Sequence, residues 1–285
     1  MNQLLDDLIK VMTLERLEMD LFRGESRDIG SPQVFGGQVL GQALVAATAT
    51  VEERMVHSLH AYFLRRGDFN SPIVYEVDRA LDGKHFSSRR VVAIQNGRQI
   101  FNMSASFQLV ETGLEHQISM PDVPQPESLP DLESYYLAVA DKLPPAARRV
   151  LEQNRPFQFR PVQALDPLRC EKSEALKYVW FRAVDKLADD EALHRCLLAY
   201  VSDFHLLDTA LKPHGESLIS PKLVIASIDH AMWFHRSVRV DDWLLYAIDS
   251  PSASGARGFT RGSVFARDGQ LVASTAQEGL IRVTS

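Results

Sequence analysis

The sequence predicts an α+β fold made of two similar units, each an antiparallel sheet with one long helix. Two observations carry this prediction. Each half contains one long helical segment, at residues 36–47 and 190–211, and each half ends on a hairpin signal, Asn96-Gly97 and Asp268-Gly269. Asn-Gly and Asp-Gly between β-forming runs are typical of two-residue hairpin turns. The turns stand 268 − 96 = 172 residues apart, which indicates a duplication.

Hydrophobic spacing predicts the elements of the first half in order. An amphipathic helix covers Leu4 to Leu14. In the helix at 36–47, Gly37 and Gly41 share a face, which favours tight packing on a sheet. Alternatively, the Gly36-Gly37 amides at the helix start polarise a bound carbonyl. Runs of β-forming residues then predict strands at 56–64, 73–80, 86–94 and 99–107.

Prolines crowd residues 111–156, which we interpret as a linker with a short helix at 132–137. A helix at 190–211, capped by Asp189 or Asp190, follows two strands, and four more strands complete the chain; the six predicted strands are 157–162, 178–184, 223–235, 243–249, 259–266 and 270–282. The predicted division is an N-terminal unit at 1–110, the linker at 111–156 and a C-terminal unit at 157–285.

A second match between the halves supports the duplication. His60-Ala61-Tyr62-Phe63 is similar to His230-Ala231-Met232-Trp233 at an offset of 230 − 60 = 170, and the offset of 172 aligns Arg89 with Arg261. Each half is therefore predicted to repeat one helix-and-meander unit.

Composition excludes several classes of protein. The chain has 285 residues and a formal net charge of -6, which disfavours a nucleic-acid binder. Its two cysteines, Cys170 and Cys196, form no C-x-x-C pair, and the count suits a reducing compartment. No apolar run approaches the ~20 residues of a membrane span. With no targeting signal recognised at either end, we expect a cytoplasmic protein.

The motifs of several enzyme classes are missing from the sequence. It contains no G-x-S-x-G, no G-x-G-x-x-G, no phosphate-binding G-x-x-x-x-G-K-[ST] and no H-E-x-x-H. His57 and His60 are three residues apart in a strand and face opposite sides, so they cannot chelate one metal ion. We expect no metal and no cofactor.

Three polar residues interrupt apolar faces of the second half. Asp203 stands almost above Cys196 at the border of the buried helical stripe, where desolvation would raise its pKa towards that of a general base. Ser227 and Gln277 each interrupt an apolar strand. Gathered around one water, the three would supply an acceptor and several donors. Equally, each can be a structural residue with its own separate partner.

Several stretches resemble the acyl-CoA thioesterase II family, and they follow one another along nearly the whole chain. They are 34–43 (VFGGQVLGQA), 56–65 (VHSLHAYFLR), 87–91 (SSRRV), 200–204 (YVSDF), 227–236 (SIDHAMWFHR), 254–258 (SGARG) and 273–279 (ASTAQEG).

The resemblance implies a double hot-dog fold, in which each half wraps an antiparallel sheet around one long helix and the two sheets join into one. It also implies a catalytic group of Asp203, Ser227 and Gln277 around a water, without metal or cofactor. Bacterial members commonly carry Thr at the position of Ser227, and either residue supplies a hydroxyl. The implied substrate is medium- to long-chain acyl-CoA, and the implied assembly is a homo-oligomer, a dimer or a tetramer. Four arginines are available for the CoA phosphates: Arg65, Arg66, Arg236 and Arg257.

Two other functions remain open from the sequence. An acyl-CoA hydratase or dehydratase on the same fold would use an Asp and His pair, for which Asp203 and His205 are the nearest candidates. Residues two apart on a helix do not share a face, which disfavours this function. A non-catalytic acyl-CoA sensor would keep the groove but would not need the three polar residues.

The duplication also predicts how many sites the chain has. The two offsets align Ala105 with Gln277 and His57 with Ser227. Because alanine has no polar side-chain atom, the first half would lack the amide that holds the water. We therefore predict one hydrolytic site per chain, in the second half.

Overall fold

The computed structural model describes residues 2–31, 33–143, 148, 155–166 and 168–284. Thirteen strands of these residues form one antiparallel sheet. The strands are β1 (Glu15–Glu18), β2 (Leu21–Gly24), β3 (Met55–Phe63), β4 (Ile73–Asp82), β5 (Phe86–Gln95), β6 (Arg98–Gln108), β7 (Phe157–Pro161), β8 (Leu176–Ala183), β9 (Leu223–Ser227), β10 (Asp229–Phe234), β11 (Leu244–Ser254), β12 (Arg257–Ala266) and β13 (Leu271–Val283). The helices are α1 (Gln3–Met12), α2 (Gly36–Thr48), α3 (Leu132–Leu137), α4 (Glu191–Ser202) and α5 (Leu206–Thr209).

The strand order reads the same from the centre of the sheet towards both edges. It runs β1-β2-β4-β5-β6-β3-β10-β13-β12-β11-β8-β7, with β9 as a further partner of β13. The two halves join where β3 pairs with β10, Ala61 opposite His230. Each half follows the same chain order of two strands, a long helix and further strands. The predicted duplicated α+β architecture is confirmed.

The two long helices pack against each other inside the sheet. A Cβ atom added at Gly37 of α2 would lie 2.2 Å from the carbonyl oxygen of Tyr200 in α4, so only glycine permits this approach. A Cβ at Gly41 would lie 3.2 Å from the carbonyl oxygen of Cys196. The glycine face predicted to pack on a sheet therefore contacts the second central helix. This contact brings the first residues of α2 to the last turn of α4.

Two predicted elements are interrupted in the structure. The helix predicted at 190–211 ends at Ser202, because His205 has a left-handed backbone (φ 69°), and α5 begins after it. The strand predicted at 223–235 divides at Ile228 into β9 and β10. Both parts pair with β13, but the register shifts by one residue between Ser227 opposite Gly279 and Ala231 opposite Ala276. Ile228 is thus the extra residue of a β-bulge. Asp190 caps α4 as predicted, since its side chain accepts a hydrogen bond from the Leu193 amide.

The ladders correct the alignment between the halves. Ala105, the residue matched to Gln277, pairs with Leu59 in the ladder. In the second half Ala231 pairs with Ala276, so the next position of the same ladder sets His230 opposite Gln277. Leu59 therefore corresponds to His230. The offset in β3 and β10 is therefore 230 − 59 = 171, and the predicted 170 is wrong by one residue. Burial agrees, because Leu59 and His230 are both buried whereas His60 is exposed.

The same correction changes two predicted equivalences. Phe107 pairs with Val56 as Gly279 pairs with Ser227, so Val56 and not His57 corresponds to Ser227. Arg89 pairs with Ala105 in the first half, and Thr260 pairs with Gln277 in the second. The residue of the second half that corresponds to Arg89 is therefore Thr260 and not Arg261. His57 lies at a bulge in β3, the counterpart of the bulge at Ile228.

The described part of the predicted linker lies on the second half of the sheet. The Trp180 indole donates a hydrogen bond to the Pro124 carbonyl (2.9 Å), and Gln117 donates to the Gly269 carbonyl (2.8 Å). Met120 and Val123 cover a small apolar cluster that includes Trp180. The short helix predicted at 132–137 is confirmed as α3. Residues 144–147 and 149–154 of the predicted linker lie outside the described residues, and the three-part division of the chain stays a prediction.

Candidate active site

The three predicted site residues come from three different elements of the second half. Asp203 is the C-cap residue of α4, at the break in the predicted helix. Ser227 is the last residue of β9, directly before the bulge, and Gln277 lies in the middle of β13. The bulge and the helix break thus each stand beside a candidate residue. β-Bulges are common next to active sites because they redirect a side chain.

The side chains of Asp203, Ser227 and Gln277 meet. The Gln277 amide nitrogen Nε2 lies 2.7 Å from Asp203 Oδ1 and 3.3 Å from Ser227 Oγ. The Gly37 amide and the Ser227 hydroxyl also lie close enough to the Asp203 carboxylate to lower its pKa. The other end of the Gln277 amide, Oε1, is buried and has no hydrogen-bond partner among the described residues. The cluster therefore combines a carboxylate, a hydroxyl and an unused acceptor.

The carboxylate of Asp203 is almost completely removed from solvent. Its side chain is 5% exposed. Burial raises the pKa of Asp203 above its ordinary value, and the hydrogen bond from Gln277 and the nearby Gly37 amide and Ser227 hydroxyl partly oppose this increase. A carboxylate with a raised pKa is a better proton acceptor than an ordinary one. Ser227 is half-buried and lies at the accessible side of the cluster.

Two further groups at the cluster were not assigned from the sequence. One is the Gly37 amide at the start of α2, which the Gly36-Gly37 pair had indicated only as a contact for a carbonyl. The other is His230, a fully buried residue whose Nδ1 lies 3.3 Å from Gln277 Nε2. Only its place beside Ser227 in the run 227–236 pointed towards it.

His205 does not join Asp203. Its left-handed backbone directs the ring to Lys177, whose Nζ lies 3.0 Å from His205 Nδ1, and to Asp208, 3.9 Å away. Burial lowers the pKa of His205 to about 4. Asp203 and His205 therefore do not form the pair that the hydratase alternative requires.

The first half has apolar residues at the corresponding positions. The C-cap position that Asp203 holds in α4 is Ala49 in α2. By the ladder registers, Val56 occupies the position that corresponds to Ser227, and Ala105 occupies the position that corresponds to Gln277. None of these side chains can hydrogen-bond a water.

The candidate arginines differ in their distance from the cluster. Arg65 and Arg66 are exposed just after Phe63, whose ring lies beside Gly36, and Arg257 pairs with Glu278 (2.8 Å), the neighbour of Gln277. Arg236 binds the carbonyl of Leu271 (2.8 Å), six residues before Gln277 along β13, so it lies roughly 20 Å away at ~3.3 Å per strand residue.

Comparisons with known proteins identify the family of this chain. Residues 23–108 match the family described as acyl-CoA thioesterase N-terminal domain, and residues 146–280 match the family described as acyl-CoA thioesterase. The chain is 44% identical to acyl-CoA thioesterase 2 of Haemophilus influenzae over 283 residues, 99% of each protein.

The chain belongs to the acyl-CoA thioesterase family. It is a thioester hydrolase. The crystal structure of an acyl-CoA thioesterase II from Mycobacterium marinum superposes with a TM-score of 0.80 at 42% identity, covering 98% of both chains. A hot-dog protein of unknown function from Alicyclobacillus acidocaldarius, 18% identical, reaches a TM-score of 0.78 over 98% of this chain and 99% of its own, a likeness in fold. The predicted double hot-dog fold is confirmed.

Among the described residues, no helix is long and apolar enough to cross a membrane. Within the same residues, no group of three or more His, Cys, Asp or Glu side chains is arranged to hold a metal ion.

Proposed function

We propose that this hydrolase cleaves medium- to long-chain fatty acyl-CoA with a water activated at Asp203. The observation that carries the proposal is the contact of Gln277 Nε2 with both Asp203 Oδ1 and Ser227 Oγ, at 2.7 and 3.3 Å. Three polar side chains from separate elements meet at this point, and Gln277 Oε1 has no partner among the described residues, which fits a site that binds a water. A thioester is reactive enough that an oriented, partly deprotonated water can attack it.

In the proposed reaction, Asp203 takes one proton from the water while the water oxygen bonds to the thioester carbon. Ser227 and the free acceptor Gln277 Oε1 hold the water in line. The carbon–sulfur bond then breaks, and the CoA thiolate receives a proton from Asp203 or from solvent. The products are a fatty acid and CoA.

The start of α2 is the candidate site for the developing oxyanion. The Gly36 amide, at the first residue of this helix and beside the Asp203 carboxylate, is the proposed donor for the thioester oxygen. An amide at a helix start carries a partial positive charge and needs no reorganisation during the reaction. Arg65, Arg66 and Arg257 are the candidates for the CoA phosphates.

The test is incubation with palmitoyl-CoA and a thiol reagent, followed by a series of acyl chain lengths. A thioesterase releases free CoA, and we expect the highest kcat/KM at medium to long chains. A hydratase would add water to an enoyl-CoA without releasing thiol, and a sensor would bind without turnover. Absence of free CoA with every acyl chain would contradict the proposal.

We also propose a cytoplasmic homo-oligomer, a dimer or a tetramer. Both cysteines are free, which fits a reducing compartment. Tyr62 and Trp233 are large apolar side chains exposed on the two central strands, the kind of surface that a second subunit covers. Light scattering of the purified protein tests the assembly, and a monomer at working concentration would contradict it. Cell fractionation tests the location.

A further inference from the structure

His230 is a fully buried histidine that the proposed reaction does not use. It lies on β10, opposite Gln277 in the ladder, and both of its ring nitrogens have partners. The charged group that faces it is Asp203, whose Oδ1 lies 4.0 Å from His230 Nδ1. Burial lowers the pKa of His230 to about 3, so the ring is neutral near neutral pH.

The partner on the far side of the ring fixes the position of its proton. Ser202 Oγ donates its hydrogen to the Ala199 carbonyl at 2.9 Å, so this oxygen can only accept from His230 Nε2, 3.0 Å away. The ring proton is therefore on Nε2, and Nδ1 is an acceptor. The Tyr246 hydroxyl, 3.0 Å from the Ser202 carbonyl, holds the same turn of α4 from β11.

The acceptor at Nδ1 acts together with the Asp203 carboxylate to decide which way the Gln277 amide points. Its NH₂ group meets Asp203 Oδ1 at 2.7 Å and His230 Nδ1 at 3.3 Å, and both need a donor. Turning the amide by 180° would set Oε1 against a carboxylate oxygen and an imidazole lone pair. In the observed orientation Oε1 points away from both and keeps its acceptor free.

The first half supports a link between His230 and the three site residues. Where the second half has Ser227, His230 and Gln277, the first half has Val56, Leu59 and Ala105. Leu59 is as buried as His230, so the fold accepts an apolar side chain at this position. The histidine occurs in the half that carries the glutamine.

We propose that His230 is a positioning residue, which holds the Gln277 amide in its working orientation and, through Ser202, the end of α4 that carries Asp203. This inference rests on the proposed function, because it assigns His230 to the water site. His230 itself exchanges no proton during the reaction.

Two substitutions separate positioning from simple packing. His230→Leu introduces leucine, the residue that the first half has at this position, and removes the acceptor. His230→Asn keeps an acceptor near the position of Nδ1. We expect His230→Leu to lower kcat at least 10-fold with KM within about twofold, and His230→Asn to recover most of the loss. In the plot of kcat/KM against pH, activity falls at low pH as Asp203 becomes protonated, and we call this part the acid limb. The acid limb should move to higher pH in His230→Leu only, because a weaker hydrogen bond from Gln277 raises the pKa of Asp203 further.

His194 supplies a matched control. It is also a buried histidine, and its Nδ1 accepts a hydrogen bond from the Val240 amide (3.2 Å). His194→Leu should lower the melting temperature without moving the acid limb. If His230→Leu does not fold, His230→Gln replaces it, since its longer side chain carries its polar head near Nε2 and offers no acceptor near Nδ1; the same loss is expected.

The inference is overturned if His230→Leu, or His230→Gln in its place, has the wild-type kcat and the wild-type pH dependence. It is also overturned if His230→Asn loses as much activity as His230→Leu. Asp203→Asn is measured beside them. If Asp203→Asn remains active, the proposed function fails. If Asp203→Asn is inactive while the His230 variants are normal, only the role of His230 fails.

Discussion

Gly36→Ala is a small change that acts on the proposed carboxylate. The added Cβ would lie 2.8 Å from Asp203 Oδ2 and 3.0 Å from Phe63 Cε1. Relaxing the contact to an ordinary ~3.5 Å requires the carboxylate to move by roughly 0.7 Å. Since a misplacement of about 1 Å can cost about 100-fold, we expect kcat to fall roughly 10-fold or more. The close contacts also cost stability, so the kcat of the folded variant is the measurement that reports the displaced carboxylate.

The assay is the release of CoA, with kcat and KM measured on one acyl-CoA and the melting temperature measured alongside. Gly41→Ala is the matched control on the same helix, because its Cβ would meet the flexible end of Met12 at 2.6 Å and the Cys196 carbonyl oxygen at 3.2 Å, but no site residue. It should keep kcat within about threefold. Wild-type turnover in Gly36→Ala would refute the position that we assign to the reactive carboxylate.

Three further predictions follow from the cluster. Ser227→Thr should keep turnover within about threefold and Ser227→Ala should lose at least 10-fold, with no acyl group on Ser227 by mass spectrometry after rapid quench; a covalent adduct would contradict attack by water. A non-hydrolysable acyl-CoA thioether should saturate near one ligand per chain, because the first half has Val56 and Ala105; two equivalent tight sites, or half of the activity left in Gln277→Ala, would contradict this. Because burial raises the pKa of Asp203, kcat/KM should rise with pH through a value above that of an ordinary aspartate as the active carboxylate forms, and a limb at the ordinary value would contradict this role.

Features set by local chemistry could be predicted from the sequence. Asn96 and Gly97 have positive φ angles of 51° and 71°, which these two residues accept more readily than others, so the hairpin was predictable. Asp190 caps α4 for an equally local reason. Asp203, Ser227 and Gln277 were singled out as polar residues on apolar faces, and the family resemblance joined them. Their mutual contacts depend on the pairing of β9 with β13 and the packing of α4, which no local pattern specifies.

Features set by tertiary contacts were not predictable. No glycine or proline signals the break at His205, whose left-handed backbone accompanies the buried contacts of its ring with Lys177 and Asp208. The alignment between the halves was wrong by one residue because matching His60 to His230 by identity ignores the face of the strand. Since successive strand residues point to opposite faces, one residue separates a buried histidine from an exposed one.

Asp203→Asn tests the central claim most directly. Asparagine has nearly the shape of aspartate but cannot accept a proton from water. We expect the rate of CoA release from palmitoyl-CoA to fall by about 10²–10⁴-fold, the usual loss when a general base is removed, at an unchanged melting temperature. Turnover within threefold of the wild-type rate in the folded variant would contradict the claim that Asp203 activates the water.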